Sequence, residues 1–189
     1  MSTSILGRRH GRELLDATAL GRTLDRMALE ILEKNGGVDG LALVGIHRGG
    51  VPLAARLQER IRRHSGSELP LGMVDITLYR DDAATSLPQP IVGETALPFD
   101  LVGRRIVLVD DVLFTGRTVR CALDELMDFG RPERIQLAVL VDRGRRELPI
   151  HADVVGLTVS TEATQQVEVA LSELGALSDA VTLWETRAP

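Results

Sequence analysis

The spacing of apolar residues in the first third of the chain predicts a helix, a strand and a second helix. Residues 14–33 have helical apolar spacing that ends at Asn35-Gly36-Gly37, which is typical of an amphipathic helix and its C-terminus. The unbroken apolar run Leu41–Ile46 predicts a buried strand. Residues 51–61 again show helical spacing, with Pro52 in the first turn, where proline is tolerated.

The alternation continues through the rest of the chain. Residues 71–79 are expected to form a strand, and residues 80–98 a long loop or hairpin that contains three prolines. Residues 106–109 form an apolar run without alternation, which favours a central strand covered on both faces. A helical pattern from Val119 to Met127 and a strand over residues 135–141 follow. Strands that alternate with helices predict an α/β fold with a mostly parallel sheet.

Composition restricts the domain number, the binding partners and the location of the protein only broadly. A chain of 189 residues suits one domain with a substantial core. A formal net charge of −5 disfavours a generally basic nucleic-acid binder, although a local basic patch is compatible with it. Cys121 is the one cysteine, so an intramolecular disulfide is excluded. Neither a secretory leader pattern nor an apolar run of about 18 residues occurs, which predicts a cytoplasmic protein.

Two adjacent carboxylates, Asp110 and Asp111, follow the central strand. In open α/β sheets, ligands bind at the carboxyl ends of the strands. Adjacent carboxylates repel each other, so both stay ionised at low cost only near solvent, a cation or several hydrogen-bond donors. Sugar hydroxyls and Mg²⁺ provide such partners, and the pair therefore predicts a hydroxyl-rich ligand with a metal ion.

The turn Thr115-Gly116-Arg117-Thr118 follows and precedes a helix. Free N–H groups and the positive end of the dipole at a helix N-terminus suit an anion. Gly116 allows close approach of the backbone, the threonine hydroxyls add donors, and Arg117 adds charge. We expect a phosphate monoester to bind here.

Two other classes of protein have an apolar strand that ends in an acidic pair: receiver domains and P-loop enzymes, in which such a strand binds the metal. A receiver places its acidic pair near the first strand, whereas about a hundred residues precede Asp110 here. The P-loop pattern Gly-x-x-x-x-Gly-Lys-Ser/Thr does not occur, and the one lysine, Lys34, lies elsewhere.

A second glycine-containing loop, His47-Arg48-Gly49-Gly50, follows the first predicted strand. Two such loops at one sheet edge can converge on one ligand. An alternative interpretation is a tight strand-to-helix turn with a solvated arginine. Arg143 follows the strand over residues 135–141 and is also expected at this edge.

Residues 106–118 resemble the signature for phosphoribosyl pyrophosphate (PRPP) of the type I phosphoribosyltransferases. Residues 75–82, 130–132 and 135–149 resemble those of one group in that family, the pyrimidine-operon regulators that are also uracil phosphoribosyltransferases. The resemblance implies the type I phosphoribosyltransferase fold, a central mostly parallel sheet flanked by helices. It also implies one domain over residues 1–189, with a small hood from the chain start and about residues 150–189.

The resemblance further implies the reaction and its residues. Uracil and PRPP would give UMP and pyrophosphate with Mg²⁺ as cofactor, and Asp110 and Asp111 would contact the ribose hydroxyls and Mg²⁺, directly or through water. Catalysis is assigned to these two aspartates and to Arg80, on a flexible loop that begins at Tyr79. The implied substrate-binding residues are His47, Arg48, Gly49, Asp110, Asp111, Val112, Leu113, Phe114, Thr115, Gly116, Arg117, Thr118, Arg143 and, in the hood, Val167.

Pyrimidine leader RNA and further copies of the chain, as a dimer or tetramer, are the partners that the resemblance implies. Relatives often carry basic or polar residues where this chain has Asp25 and Leu29 on the first helix and Ala163 and Gln166 in the hood, which disfavours RNA binding. Arg22 and Arg26 nevertheless remain near the first two positions. Arg143, Arg145 and Arg146 fit either a basic patch or a solvated charged turn. Two alternatives stay open: an RNA-binding nucleotide sensor with little catalysis, and a phosphoribosyltransferase for another base.

Overall fold

The computed structural model of the protein describes residues 8–76 and 95–186. The elements in chain order are β1 (Arg8–Leu15), α1 (Ala17–Asn35), β2 (Leu41–Ile46), α2 (Gly50–Ser65), β3 (Leu71–Val74), β4 (Arg105–Leu113), α3 (Arg117–Phe129), β5 (Arg134–Asp142), β6 (Val154–Thr158), β7 (Gln165–Ala170) and β8 (Ala180–Thr186).

Two sheets organise the described chain. The larger sheet has five strands in the order β3-β2-β4-β5-β6, and every neighbouring pair in it is parallel. The smaller sheet is antiparallel and has the order β1-β8-β7. The predicted α/β fold with a central parallel sheet is confirmed.

The central strand β4 places alternate side chains in two core layers. Val107 and Val109 pack in the layer that contains α1 and α2. Ile106 and Leu108 pack on the opposite face, in the layer that contains α3. This two-residue period explains why the run is continuously apolar, because both faces of the sheet are covered.

Element boundaries differ from the predicted ones at two informative places. The first helix begins at Ala17 and not at residue 14, because Leu14 and Leu15 end β1. Asp16 caps the helix and accepts a hydrogen bond from the Ala19 N–H at 2.7 Å. Strand β4 continues to Leu113 and not only to residue 109, so the acidic pair lies within the strand.

The smaller sheet forms the hood and combines the start and the end of the described chain. Strand β6 lies in the predicted hood segment of residues 150–189, yet it pairs with β5 at the edge of the larger sheet. The hood strands are therefore β1, β7 and β8. The predicted loop over residues 80–98 falls mostly on residues 77–94, which lie outside the described ranges.

An arginine on α2 connects the hood to the rest of the molecule. Arg56 donates hydrogen bonds to Glu173 at 2.6 Å and to Asp179 at 2.6 Å, in the segment between β7 and β8. Hydrogen bonds from Arg56 are the main reason why the pKa values of Glu173 and Asp179 lie below their usual range. Since α2 begins beside the glycine loop, Arg56 couples the hood to that loop's helix.

Replacing Arg56 by glutamine should lower the free energy of unfolding at pH 7 by about 1 kcal/mol, mostly through Asp179, because the Glu173 side chain is 44% exposed and screened. Carboxylates with a depressed folded-state pKa stabilise the fold above their unfolded pKa values, about 4. That contribution is lost as the pH falls through the folded values. Urea unfolding between pH 7 and pH 3 should therefore show a smaller loss of stability for the variant than for the wild type.

The control is Arg120→Gln, which breaks the exposed pair between Arg120 and Asp124 on α3. Its pH dependence should match that of the wild type, since exposed pairs contribute little. Equal pH slopes for Arg56→Gln and the wild type would show that Arg56 does not hold the hood in this way.

Candidate functional site

The carboxyl ends of β2, β4 and β5 and the hood strand β7 surround a cleft of about 1260 Å³. The cleft is lined by His47, Arg48, Gly49, Asp110, Asp111, Val112, Leu113, Phe114, Thr115, Gly116, Arg117, Thr118, Arg143 and Val167. The structure thus brings together the predicted substrate-binding residues from four separate segments. Arg80, the remaining predicted residue, lies outside the described ranges.

The acidic pair is held by backbone donors. Asp110 is buried, and its Oδ1 accepts a hydrogen bond from the Asp111 N–H at 2.9 Å. Asp111 is more exposed, and its Oδ1 accepts from the Val112 N–H at 2.8 Å. Both carboxylates thus have fixed orientations at the cleft, where they can face hydroxyl groups or a cation.

The glycine loop packs tightly against the end of β4. A Cβ atom on Gly49 would overlap the Asp111 carboxylate, and a Cβ atom on Gly50 would overlap the Val109 carbonyl oxygen. Glycine is therefore required at both positions for this close approach. The loop and the acidic pair form one continuous surface.

The remaining residues of this loop point in different directions. The His47–Arg48 peptide bond is cis. His47 Nδ1 lies 3.6 Å from Asp75 Oδ2, and the Asp75 side chain is buried. Arg48 is exposed at the mouth of the cleft. The loop thus offers one exposed guanidinium beside the acidic pair.

The turn from Thr115 to Thr118, which we call the phosphate turn after the ligand that its sequence predicts, lies at the N-terminus of α3, as expected. Gly116 has φ 93°, in the left-handed region that favours glycine, and a Cβ atom there would lie 3.4 Å from Leu148 and Ile150. Thr115 Oγ1 accepts from the Arg117 N–H at 3.3 Å. Helix α3 begins at Arg117, and the first N–H groups of a helix lack partners within it. The turn is therefore suited to bind an anion through backbone donors.

The Arg117 side chain pairs with Glu147 across the cleft. Arg117 Nε lies 2.8 Å from Glu147 Oε2, and both side chains are more than half exposed. Exposed pairs of this kind are weak, so an incoming dianion can compete with Glu147 for Arg117.

The hood end of the cleft is organised by Arg143. Its guanidinium carbon lies 4.0 Å from the centre of the Phe114 ring, and it donates to Thr161 Oγ1 at 3.1 Å and to the Gln165 carbonyl at 2.7 Å. Burial, followed by the nearby charge of Arg145, lowers the pKa of Arg143. Arg143 therefore connects the phosphate turn to the start of β7, where Val167 is half-buried.

Sequence reasoning missed the part of the cleft that comes from residues 144–150 and, apart from Val167, the part that comes from the hood. Glu147 and Leu148 line it, as do Gln166, Glu168 and Leu174. The charged run around Arg146 looks like a solvated turn in the sequence. In the structure the Arg146 side chain is only 16% exposed and pairs with Asp142, so it does not belong to an open basic patch.

Two kinds of feature are missing from the described ranges. They contain no group of three or more His, Cys, Asp or Glu side chains placed to hold a metal ion. Their helices are too short or too polar to span a bilayer.

Sequence comparisons identify relatives over most of the chain. Residues 10–172 match the model of the family described as "Phosphoribosyl transferase domain". The "Bifunctional protein PyrR" of Thermus thermophilus is 55% identical over 173 residues, which cover 92% of this chain and 95% of the relative. The protein of the same name from Caldicellulosiruptor bescii is 56% identical over 162 residues, 86% of this chain and 89% of the relative.

Solved structures support the same fold at lower sequence similarity. The hypoxanthine phosphoribosyltransferase of Trypanosoma cruzi superposes with a TM-score of 0.68 at 15% identity, covering 93% of this chain and 97% of that one. A hypoxanthine phosphoribosyltransferase from Staphylococcus aureus gives a TM-score of 0.66 at 19% identity, covering 99% of this chain and 98% of that one. At these identities the likeness concerns the fold alone.

Proposed function

Because the chain belongs to the phosphoribosyl transferase domain family and, within it, to the PyrR proteins, we propose that it makes UMP and pyrophosphate from uracil and PRPP and regulates pyrimidine genes. The observation that carries the enzymatic part is one cleft in which the acidic pair, the glycine loop and the phosphate turn meet. Each of these three parts matches one chemical group of PRPP.

The proposed binding mode follows from that match. The 5′-phosphate binds the turn from Thr115 to Thr118, where backbone N–H groups and the α3 dipole favour an anion. The ribose hydroxyls face Asp110 and Asp111. Pyrophosphate lies against the loop that carries Arg48 and Gly49. Uracil lies at the hood end, between the Phe114–Arg143 pair and β7, because a pyrimidine needs apolar cover and a few fixed polar groups.

The donor set fits Mg²⁺. Mg²⁺ usually binds one or two carboxylates, substrate phosphates and several waters, and seldom a cage made of protein side chains alone. The acidic pair beside the pyrophosphate loop, without a third side-chain ligand in the described ranges, has this character. When bound there, Mg²⁺ would neutralise charge on pyrophosphate.

The proposed reaction is a substitution at the anomeric carbon of PRPP. The bond to the pyrophosphate oxygen breaks, the bond to uracil N1 forms, and the N1 proton is released. Positive charge develops on the sugar and negative charge on the leaving group. Asp110 and Asp111 orient the ribose and face the positive charge, whereas Arg48 stabilises the leaving group. Arg80, in the part of the chain not described, is proposed to add a second positive charge beside the leaving group.

The test is pyrophosphate release by the purified protein with PRPP and Mg²⁺. Release should require uracil, and in competition with orotate, hypoxanthine and adenine the protein should prefer uracil. A preference for another base would show that the protein is a phosphoribosyltransferase of different specificity. Absence of any base-dependent release would contradict the enzymatic proposal.

Regulation through pyrimidine leader RNA is the second part of the proposal, and it is supported by the relatives that share the bifunctional name. The first helix offers few free cations for it: Arg26 donates to the carbonyl groups of Val155 and Gly156, and Asp25 pairs with Arg60 at 2.8 Å. We therefore expect weak, salt-sensitive binding that UMP enhances. A gel shift with the leader transcript tests this, and no shift at low salt would remove the regulatory part.

A further inference from the structure

Three successive carbonyl groups, those of residues 113–115 at the end of β4 and the start of the phosphate turn, accept hydrogen bonds from the segment of residues 143–148. The Leu113 carbonyl accepts from the Arg143 N–H at 3.1 Å, and the Phe114 carbonyl accepts from Arg146 Nη1 at 2.9 Å. The Thr115 carbonyl accepts from the N–H groups of residues 147 and 148 at 3.0 and 3.1 Å. One short segment thus fixes three consecutive peptide units.

The geometry of the peptide unit determines what this does to the turn. In a trans peptide the C=O of one residue and the N–H of the next point in opposite directions, and the peptide bonds of this turn are trans. Carbonyls drawn toward residues 143–148 therefore direct the N–H groups of Phe114, Thr115 and Gly116 away from that segment. Three donors with a common direction just before α3 form a concave anion site.

Arg146 is the side chain that completes this arrangement. Its guanidinium donates to the carbonyls of Phe114 at 2.9 Å, Ile150 at 2.9 Å and Gly144 at 3.1 Å, and to Asp142 Oδ2 at 2.5 Å. Burial alone would raise the pKa of Asp142, but hydrogen bonds from Arg146 and the Gly144 N–H outweigh it and keep the pKa below the usual value. An ionised Asp142 keeps Arg146 oriented.

We propose that Arg146 is a positioning residue for the 5′-phosphate: it holds the Phe114 carbonyl so that the turn presents its N–H groups to the phosphate before the phosphate arrives. The inference rests on the proposed function of the same site and assigns Arg146 no contact with the substrate. Preorganised donors bind an anion more tightly because they need no ordering on binding. Without Arg146 the Phe114 carbonyl loses this donor, and the orientation of the Phe114–Thr115 peptide unit is less well fixed.

The neighbouring arginine supplies a matched control. Arg145 carries the same charge and is exposed, and its hydrogen bond is a long one to the Thr161 carbonyl at 3.4 Å. Arg145→Gln and Arg146→Gln therefore remove the same charge one residue apart. Only the second change removes a donor from the phosphate turn.

Binding of ribose 5-phosphate, measured by calorimetry, tests the proposal without turnover. Arg146→Gln should weaken binding at least tenfold, or about 1.4 kcal/mol, whereas Arg145→Gln should stay within twofold of the wild type. In amide NMR spectra, ribose 5-phosphate should shift the Thr115 and Gly116 N–H signals of the wild type strongly and those of Arg146→Gln weakly. Resonances of α1, remote from the turn, should be alike in both proteins.

Steady-state kinetics add a second readout. The KM for PRPP should rise about tenfold or more in Arg146→Gln, while the KM for uracil stays within twofold. Arg146→Lys keeps the charge but cannot reach four acceptors together, so it should also bind ribose 5-phosphate more weakly than the wild type. If Arg146→Gln does not fold, ribose 5-phosphate binding by Arg146→Lys provides the test instead.

Three outcomes would overturn the proposal. They are wild-type affinity for ribose 5-phosphate in the folded Arg146 variants, an equal loss of affinity in Arg145→Gln, and an equal rise in both KM values. If the wild type binds ribose 5-phosphate but does not use uracil, the proposed activity is wrong, whereas the proposed role of Arg146 at the phosphate turn still stands. Absence of ribose 5-phosphate binding to the wild type would defeat both.

Discussion

Asp111→Asn should reduce kcat/KM for PRPP by about a hundredfold to a thousandfold, the range seen when one preorganised electrostatic contact to a transition state is removed. Asparagine keeps the size of the side chain and can still accept from the Val112 N–H, as Asp111 does at 2.8 Å. It cannot supply the negative charge that, in our proposal, faces the sugar cation and Mg²⁺. Activity assayed over a range of Mg²⁺ concentrations should show a higher Mg²⁺ requirement for the variant.

Loss of fold does not explain such a result. Asp110 and Asp111 are adjacent, and like charges disfavour each other, so neutralising Asp111 should not lower the free energy of unfolding. Asp124→Asn is the control, because Asp124 lies exposed on α3 and pairs with Arg120. The control should keep full activity. If Asp111→Asn retained more than half of the wild-type kcat/KM, the assignment of Asp111 to the ribose and the metal would be wrong.

The central part of the fold and of the cleft was predictable because its signals are local. A fully apolar run implies a strand covered on both faces, and a glycine after a threonine at the start of a helical pattern implies an anion-binding turn. Both signals lie within residues 106–118, and the structure places β4 and the N-terminus of α3 there. The acidic pair lies inside β4 and not beyond it, because polar residues at a strand end still pair with the neighbouring strand.

Other features depend on contacts between residues far apart in the chain. Strand β1 pairs with β8, about 170 residues later, and Arg56 binds Asp179 in the segment before β8. Periodicity describes one segment at a time and carries no information about such partners. The place of β6 in the larger sheet was missed for the same reason, since β6 pairs with β5 and packs against α1, which lies more than a hundred residues earlier in the chain.

The role of Arg146 could not be inferred from composition or spacing. The sequence of a charged turn does not show whether its arginines face solvent or bind backbone carbonyls. The difference lies in where the chain places those carbonyls. The carbonyls of Leu113 and Phe114 reach Arg146 because β4 and β5 are neighbours in the sheet. Arg145, the adjacent residue, is exposed, so two identical side chains differ in their contacts through position alone.

Gly49→Ala should reduce kcat/KM for PRPP by about a hundredfold, the cost that a displacement of about 1 Å can impose on a catalytic site. Gly49 has φ −69° and ψ −31°, a conformation that alanine adopts freely, so backbone strain does not contribute. The effect arises from contact, because the added Cβ atom would overlap the Asp111 carboxylate. Either the loop or Asp111 must move, and both lie at the end of the cleft that we propose for pyrophosphate.

A matched glycine separates this effect from a general loss of stability. Gly21 lies in α1, where an added Cβ atom would have Arg60 Nη2 as its nearest neighbour at 3.9 Å. Gly21→Ala should keep full activity and raise the free energy of unfolding by about 0.5–1 kcal/mol, since alanine favours a helix more than glycine does. Gly21→Ala should therefore raise the unfolding temperature and leave pyrophosphate release unchanged. Gly49→Ala, in contrast, should lower pyrophosphate release. Full activity in Gly49→Ala would show that the packing of the glycine loop against Asp111 does not matter for catalysis. The pyrophosphate subsite would then have to lie elsewhere.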